Sequence, residues 1–395
     1  MTTKIILLIC LIIYLIVIFG VEFAYRNVLY EKSVEYIETL EQEGFNKYFS
    51  FFWSIIYIGG IFSAGISTTL IHYPINIFFC HFSYLFISIF TMAILKSIYA
   101  DPRPYWDIYL QRKKEYKNIP NPTECDAEFG NPSGHAALNM YTLFLWHLFI
   151  NSNYVNKIEN NLKKNLIKFF SLFIALVCLG FVAFSRIQRQ MHSINQVIHG
   201  SAIGFAIFFT FCYIFEYNKY NLKDFILFLN KMKYIKLAIL IILFGISVLF
   251  GLLIHNDKEE EYKKILIEFC NFDENHMFGK NTALISSLIF AVIGGYLGFL
   301  YMNHKNNDNN EFIENVIDNW NKGKKLHTFL IIIFSFIIPS VLLVPLVAIP
   351  SSAYIVKFIV CTICNFLFGF LSFGPIFCYS CEKFKKPESE LMESL

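Results

Sequence analysis

Three short polar clusters interrupt an otherwise apolar sequence. Among their residues are Lys96, Arg103 and Arg186, which carry a fixed positive charge, together with two histidines and a serine–glycine pair. Fixed cations can clamp the oxygens of a phosphoryl group during in-line attack. Imidazole titrates near neutrality, so it can attack phosphorus or deliver a proton to a leaving oxygen. The clusters are Lys96–Trp106, Gly130–His135 and Ser185–His192.

The charged and small residues of these clusters are suited to binding an anion. Lys96, Arg103 and Arg186 supply the positive charges, and a proline on each side of Arg103 stiffens the backbone that aims its guanidinium. Ser133 and Gly134 stand at the start of an apolar run that we predict to be a helix. The N–H groups and the dipole at a helix N-terminus form an anion site, and a glycine there permits close approach. The clusters therefore predict a pocket for a phosphate group.

The elements that must position these clusters are apolar. The sequence is 56% hydrophobic and 16% charged, which is not the balance of a water-soluble chain of this length. With 33 basic against 30 acidic side chains, it also lacks the basic field that nucleic-acid binding requires. Runs of about 20 apolar residues predict an all-α fold, a polytopic transmembrane helical bundle of about ten spans. The runs are 4–20, 50–72, 75–98, 135–152, 165–185, 193–216, 234–254, 280–303, 326–348 and 353–379.

The N-terminal region, residues 1–49, combines a predicted anchor with a polar segment. The run at 4–20 lacks a small-residue cleavage site and continues into Glu22 and Arg26. This favours an uncleaved signal-anchor helix over a cleaved signal peptide, which would leave nine spans. Residues 31–48 are too polar to span the membrane; their pattern fits an amphipathic helix on the membrane surface and a solvated connector equally well. Its apolar residues are Val34, Ile37, Leu40 and Phe45.

The charges of the loops assign each loop to one side of the membrane. Residues 21–49 and 255–279 are acidic, whereas residues 153–168 and 217–236 carry an excess of lysine. Such an excess marks the cytoplasmic side, and the alternation is consistent across the predicted spans. Both termini are then cytoplasmic, and all three polar clusters fall on the opposite, lumenal or exterior face. A shared face allows the clusters to converge.

The three clusters resemble the signature of the type 2 phosphatidic acid phosphatase superfamily, which includes lipid phosphate phosphatases, glucose-6-phosphatase and vanadium haloperoxidases. The family pattern is K-x6-R-P, then P-S-G-H, then S-R-x5-H. This sequence matches every defined position, at Lys96–Pro104, Pro132–His135 and Ser185–His192. The resemblance implies a membrane phosphatase with a six-helix phosphatase core. It would hydrolyse a phosphomonoester through a phosphohistidine intermediate, with neither a metal nor a cofactor.

The resemblance also implies a role for each cluster residue. His192 is implied as the nucleophile that becomes phosphorylated, and His135 as the acid that protonates the leaving alcohol and then activates water. Many members place an aspartate one helical turn after the nucleophile. This sequence has Gln196, whose amide oxygen can hold the orientation of the imidazole ring but carries no charge. The residues implied to hold the phosphate are Lys96, Arg103, Ser133, Gly134 and Arg186.

The likeness to glucose-6-phosphatase goes further. Arg103–Trp106 is similar to a stretch of that enzyme, and Cys125 lies shortly before the second cluster, as a cysteine does there. About nine helices after residue 49 also fit its architecture. This likeness implies the endoplasmic reticulum, with a lumenal active site. Cys125 and Cys270 fall in loops on one predicted side, and whether they form a disulfide stays open at this point.

The predicted organisation has four parts: the signal-anchor helix with the lumenal amphipathic segment (1–49), the phosphatase core with the clusters (50–216), additional helices (217–379) and a cytoplasmic tail (380–395). The predicted substrate is a phosphorylated lipid or sugar, and membrane lipids surround the bundle. A lipid phosphoryl or headgroup transferase that uses the same residues is one alternative. A catalytically silent membrane scaffold is another. No protein partner is predicted.

Overall fold

The computed structural model describes residues 2–42, 75–115, 125–215, 233–254, 256–273, 277–305 and 354–376. Every regular element within these ranges is a helix, which confirms the predicted all-α class. A 3₁₀ turn at Val155–Lys157 connects two of the helices. The α-helices are α1 (Thr2–Gln42), α2 (Ile75–Tyr99), α3 (Pro104–Glu115), α4 (Gly134–Asn153), α5 (Asn161–Gln188), α6 (Ile194–Phe215), α7 (Lys233–Leu253), α8 (Glu259–Cys270), α9 (Phe278–Ser286), α10 (Ile289–Lys305) and α11 (Tyr354–Phe373).

Within the described residues, five segments are long and apolar enough to cross a membrane, which supports an integral membrane protein. The predicted total of ten spans and the six-helix core are not confirmed. The runs at 50–72 and 326–348 lie outside the described residues. A shorter apolar helix runs over Leu237–Leu253. The five segments are Leu8–Ile37, Asn161–Gln188, Ile194–Tyr213, Phe278–Met302 and Tyr354–Ser372.

Helix α1 differs from the prediction because it is one helix of 41 residues. At 1.5 Å per residue it is about 60 Å long, roughly twice the hydrocarbon thickness of a bilayer. The described part of the segment predicted at 31–48 is helical, but it continues α1 to Gln42 and is not a helix of its own. Ile37 is buried and Val34 is half-buried in an aromatic core cluster, while Phe45 lies outside the described residues. The apolar spacing predicted a covered face, but it could not tell protein from membrane.

The described part of the chain divides into two compact units. The unit that holds the three polar clusters also takes in α1 and α8. In the other unit, α10 packs against α11. The predicted four-part division stays a prediction, and its tail lies outside the described residues. The units comprise the described residues within Met1–Ala64, Thr91–Lys219 and Phe250–Thr282, and those within Gly65–Phe90, Tyr220–Leu249 and Ala283–Leu395.

Helices α4 and α6 pack closely because two glycines of α6 leave room for the backbone of α4. A Cβ on Gly200 would overlap the carbonyl oxygen of Ser133, and one on Gly204 would overlap that of Ala137. Small residues at helix interfaces allow such an approach in membrane proteins. The approach also joins the two helix N-termini, where the Ser133 N–H donates to the Gln196 carbonyl oxygen at 3.0 Å.

A disulfide joins Cys125 to Cys270, and the Cα atoms of the two residues lie 5.8 Å apart. The pairing resolves the alternative that the sequence leaves open. Cys125 begins the described part of the loop that leads into the second polar cluster, and Cys270 ends α8. The bond therefore ties this loop to a helix end that is 145 residues away in the sequence.

We expect Gly204→Ala to destabilise the protein, because the added methyl group overlaps the α4 backbone. Overpacking at such a position costs about 1–3 kcal/mol. The measurement is thermal unfolding of the protein in detergent. Gly180→Ala on α5 is the matched control, because its Cβ would meet no heavy atom of the described chain within 4 Å. Equal unfolding temperatures for the two variants would contradict the close packing of α4 on α6.

We expect Cys270→Ser to lower the unfolding temperature, because it removes a cross-link that restricts the unfolded chain. Closing a long loop in this way stabilises a protein by about 2–5 kcal/mol. Cys10→Ser is the control, since Cys10 is an exposed free thiol. Mass spectrometry of unreduced wild-type peptides should show the two cysteine peptides joined. Separate peptides would show that the bond does not form.

Candidate active site

His192 lies in the turn between α5 and α6, where backbone hydrogen bonds hold it. The Arg186 carbonyl oxygen accepts hydrogen bonds from the N–H groups of Met191, at 3.1 Å, and His192, at 3.3 Å. Gln190, at the bend, has a φ of 62°, in the left-handed region. The reversal leaves His192 only 2% exposed. The turn therefore presents the imidazole to the protein interior.

The His192 ring is oriented by the second polar cluster. Its Nδ1 lies 2.9 Å from the carbonyl oxygen of Gly130, which can only accept, so Nδ1 carries the proton and donates it. The other ring nitrogen, Nε2, then bears a lone pair and lies 3.4 Å from Nη1 of Arg103. In this tautomer the imidazole presents an unprotonated nitrogen, which is the form that acts as a nucleophile.

Gln196 does not make the contact that the family resemblance implies. Its Oε1 accepts a hydrogen bond from the Ser193 N–H at 3.2 Å, and its Nε2 donates to the Pro102 carbonyl oxygen at 2.8 Å. The Gly130 carbonyl occupies the place beside Nδ1 of His192 instead. A Cβ on Gly130 would lie 2.6 Å from the Gln196 amide oxygen, so the glutamine packs directly against this glycine. Gln196 therefore supports the backbone that orients the ring, rather than the ring itself.

Charges from all three clusters act on His192. Burial lowers its pKa well below the usual value, and the positive charges of Arg103, Arg186 and Lys96 lower it further. The His135 ring acts in the same direction. The His192 ring is therefore neutral at physiological pH, which keeps its Nε2 available. Each of these four groups therefore lies close enough to His192 to act on its charge.

Arg103 is completely buried, and each of its nitrogens makes a polar contact. Nε donates to the Glu128 carbonyl oxygen at 2.6 Å, and Nη1 donates to the Met191 carbonyl oxygen at 3.0 Å. Nη2 donates to a carboxylate oxygen of Asp126 at 2.6 Å. A planar guanidinium held on three sides has a single orientation. The third cluster and the loop before the second cluster thus fix the position of Arg103.

Two carboxylates that the sequence analysis did not single out pair with the cations. Lys96 forms an ion pair with Glu128, and the second oxygen of Glu128 has no hydrogen-bond partner among the described residues. Asp126 pairs with Arg103. Burial alone would raise the pKa of Asp126, but Arg103 and Lys96 outweigh it and hold this pKa below its usual value. The signal in the sequence is an Asp-x-Glu pair just before the second cluster.

The N-terminus of α4 carries the small residues of the second cluster. Ser133 is the N-cap, and its hydroxyl oxygen accepts a hydrogen bond from the Ala136 N–H at 3.4 Å. Its own N–H donates to Gln196, so the Ser133 amide predicted to bind an anion is already used. A Cβ on Gly134 would meet no heavy atom of the described residues within 4 Å, which leaves space for an anion. The half-buried His135 follows directly.

Backbone hydrogen bonds join the first cluster to the other two. The Gly130 N–H donates to the Asp101 carbonyl oxygen at 2.8 Å, and the Tyr105 N–H donates to the Gln190 carbonyl oxygen at 3.3 Å. The Tyr105 hydroxyl donates to the Asp126 carbonyl oxygen at 2.8 Å. Burial raises the pKa of Tyr105 to about 12, so this hydroxyl keeps its proton. The three clusters therefore share one connected framework.

Comparison with known proteins agrees with this arrangement. Residues 77–220 match the family model of the PAP2 superfamily, and this segment contains all three polar clusters. Neither a curated protein nor a solved structure matches the chain. The finer likeness to glucose-6-phosphatase stays a prediction. The match confirms the predicted family: the segment that carries the candidate active site belongs to the PAP2 superfamily.

Proposed function

We propose that this protein is a membrane phosphatase that hydrolyses a phosphomonoester of a lipid or a sugar through a phosphohistidine intermediate, without a metal. Membership of the PAP2 superfamily supports a phosphatase activity in general. The observation that carries the mechanism is the His192 ring, which donates from Nδ1 to Gly130 and turns Nε2 toward Arg103. A fixed, unprotonated nitrogen beside a cation is suited to attack on phosphorus.

In the first step, Nε2 of His192 attacks phosphorus in line with the leaving oxygen. A P–N bond forms as the P–O bond to the alcohol breaks. His135, which takes up a proton once the negative charge of the bound phosphate offsets the surrounding cations, gives this proton to the departing oxygen. The three cations stabilise the charge on the equatorial oxygens, together with Gly134 and the hydroxyl of Ser133 at the start of α4. The hydrogen bond to Gly130 strengthens as the ring becomes positive.

In the second step, water replaces the alcohol. His135, now neutral, removes a proton from this water, and the resulting hydroxide attacks the phosphohistidine. A new P–O bond forms as the P–N bond breaks, so inorganic phosphate leaves. His192 returns to its neutral form with the proton still on Nδ1, and His135 has regained its proton. Each atom and proton is then accounted for.

Asp126 and Glu128 contribute to turnover through charge balance. They pair with Arg103 and Lys96 in the resting protein, so these cations are held in place without an anion. A phosphate group that binds must share the cations with the two carboxylates. This competition weakens the binding of the phosphate product and favours its release, because like charges repel in a site of low dielectric constant.

We further propose that the active site faces the lumen of the endoplasmic reticulum and that both termini are cytoplasmic. The disulfide between Cys125 and Cys270 supports a lumenal loop, because disulfides persist in oxidising compartments and are rare in the cytosol. The lysine-rich loops at 153–168 and 217–236 support a cytoplasmic side opposite the clusters.

We expect His192→Ala to reduce phosphate release by more than about a thousandfold, because the variant lacks the nucleophile. Release by the wild-type protein should continue with a metal chelator and stop with vanadate. The control is His147→Ala, because His147 bonds to Ser171 at 2.8 Å and lies three turns from His135 along α4, about 18 Å away. Robust activity of His192→Ala, or loss of wild-type activity with chelator, would contradict the mechanism.

The substrate class follows from the same assay. Purified protein is tested on lysophosphatidate, phosphatidate, sphingosine phosphate and glucose 6-phosphate, each at several concentrations. Phosphate release from at least one of them is the expected result, and the highest kcat/KM identifies the lipid or the sugar class. Release from none of them would count against the phosphatase and favour a silent scaffold.

A further inference from the structure

A second set of buried polar side chains lies beside the candidate active site. We refer to it as the Glu22 cluster. It joins α1, the loop after α2, the loop before α4, and α6. Three of its members are completely buried, and the side chains of Arg26 and Asp101 are 18% and 15% exposed. Its members are Glu22, Arg26, Asp101, Asn131 and His199.

Asn131 is the centre of the cluster, because its amide makes three hydrogen bonds. Its Nδ2 donates to an oxygen of Glu22 at 2.9 Å and to an oxygen of Asp101 at 2.8 Å. Its Oδ1 accepts from Nδ1 of His199 at 3.0 Å. Both amide protons and the amide oxygen are therefore engaged, which leaves this buried side chain one orientation.

Glu22 is held in turn by Arg26, one helical turn further along α1. The guanidinium donates to Glu22 from Nε at 2.9 Å and from Nη2 at 2.6 Å, and its Nη1 lies 3.4 Å from Asp101. Arg26 also lies against the rings of Phe23 and Tyr99, at 4.7 and 4.6 Å from their centroids. One guanidinium thus pairs with two carboxylates, so removing Arg26 would leave both of them without a counter-ion.

The position of Asn131 in the chain links this cluster to the nucleophile. Asn131 directly follows Gly130, whose carbonyl oxygen accepts the hydrogen bond from His192. The Gly130 N–H is bound by the backbone of Asp101, which belongs to the same cluster. The Gly130 carbonyl that orients the His192 ring therefore lies between two held groups: the N–H of Gly130, which the Asp101 backbone binds, and the side chain of Asn131.

Helix α1 approaches the site at a second point. The hydroxyl of Ser33 accepts a hydrogen bond from the N–H of Ile194 at 2.9 Å. Ile194 is the first residue of α6 and lies two residues after His192. The helix therefore supports both the turn that carries the nucleophile and, through Glu22, the loop that orients its ring. It does so from outside the segment 77–220 that matches the PAP2 superfamily.

We propose that Glu22, on the N-terminal helix, is a positioning residue for catalysis that acts through Asn131 on the Gly130 carbonyl and so on the His192 ring. The proposal rests on the proposed function, since it assigns a role within that reaction. Glu22 touches no reacting atom in it. Its carboxylate holds Asn131, Asn131 holds the loop, and the loop directs Nε2 of His192 toward phosphorus.

A buried carboxylate that served stability alone would affect unfolding without changing the reaction of folded protein. A positioning role predicts a different pattern. Binding of substrate in the ground state depends on the cations and on α4, whose Ser133 N–H is held independently by Gln196. The rate of attack depends on the direction of the imidazole. Loss of Glu22 should therefore reduce kcat and leave KM nearly unchanged.

The test compares Glu22→Ala and Glu22→Gln in the full-length protein, with Glu31→Ala as the control. Glu31 is an exposed glutamate of the same helix. Glutamine keeps an oxygen that can accept from Asn131, whereas alanine does not. We expect Glu22→Ala to lose at least tenfold in kcat with KM within threefold of wild type, Glu22→Gln to lose less, and Glu31→Ala to lose nothing. Rates are expressed per folded protein, measured by size exclusion.

Vanadate binding provides a readout without turnover, because vanadate bonded to the nucleophile mimics the five-coordinate phosphorus of in-line attack. Its Kd should rise about tenfold in Glu22→Ala, in line with the loss in kcat. If the alanine variant does not fold, the comparison of Glu22→Gln with Glu31→Ala decides, and a kcat for Glu22→Gln below the control is required.

These measurements distinguish failure of the positioning role from failure of the proposed function. Wild-type kcat and vanadate affinity in the folded Glu22 variants, with an active wild-type protein, would overturn the positioning role and leave the phosphatase proposal intact. A parallel loss in kcat and rise in KM would also overturn it. A wild-type protein that releases no phosphate from any substrate would overturn the proposed function itself.

Discussion

The hydrogen bond from Nδ1 of His192 to the Gly130 carbonyl oxygen is the interaction on which the rest of the site depends. A carbonyl oxygen can only accept, so it fixes the proton on Nδ1 and keeps Nε2 free of it. The bond requires Gly130 to be held still, and its neighbours do so. Gln196 packs against its Cα, and the Asp101 backbone binds its N–H. Segments far apart in the sequence thus converge on one residue, Gly130.

The charged side chains of the site must also be held in fixed positions, and most of them are buried. A cation without a partner would be costly to bury, so Lys96 is paired with Glu128 and Arg103 with Asp126. These pairs hold each cation in one orientation. The remaining positive charge still lowers the pKa of His192, together with its burial. A neutral His192 ring and a group of buried cations are therefore compatible in one site.

The sequence predicted the parts of the site that are local and missed those that depend on contacts between distant segments. The three clusters could be found because each joins its residue types within a few positions. The hydrogen bond between Gly130 and His192 could not be predicted, because a backbone carbonyl has no signal in the sequence. The sequence analysis therefore assigned the orienting role to Gln196. From the sequence, Glu22 is only a residue that follows the predicted anchor; its hydrogen bond to Asn131 becomes evident in the structure. The all-α class follows from the hydropathy of the sequence, but the length and the packing of the 41-residue helix α1 do not.

The most direct test of the account is an experimental structure of the protein with bound orthovanadate. Five-coordinate vanadate has the geometry of in-line attack. The phosphohistidine mechanism predicts vanadium bonded to Nε2 of His192, with His135 on the opposite, leaving-group side and Nδ1 of His192 still within hydrogen-bond distance of the Gly130 oxygen. Vanadate bonded to His135, or a His192 ring turned away from Gly130 while vanadate is bound, would contradict it.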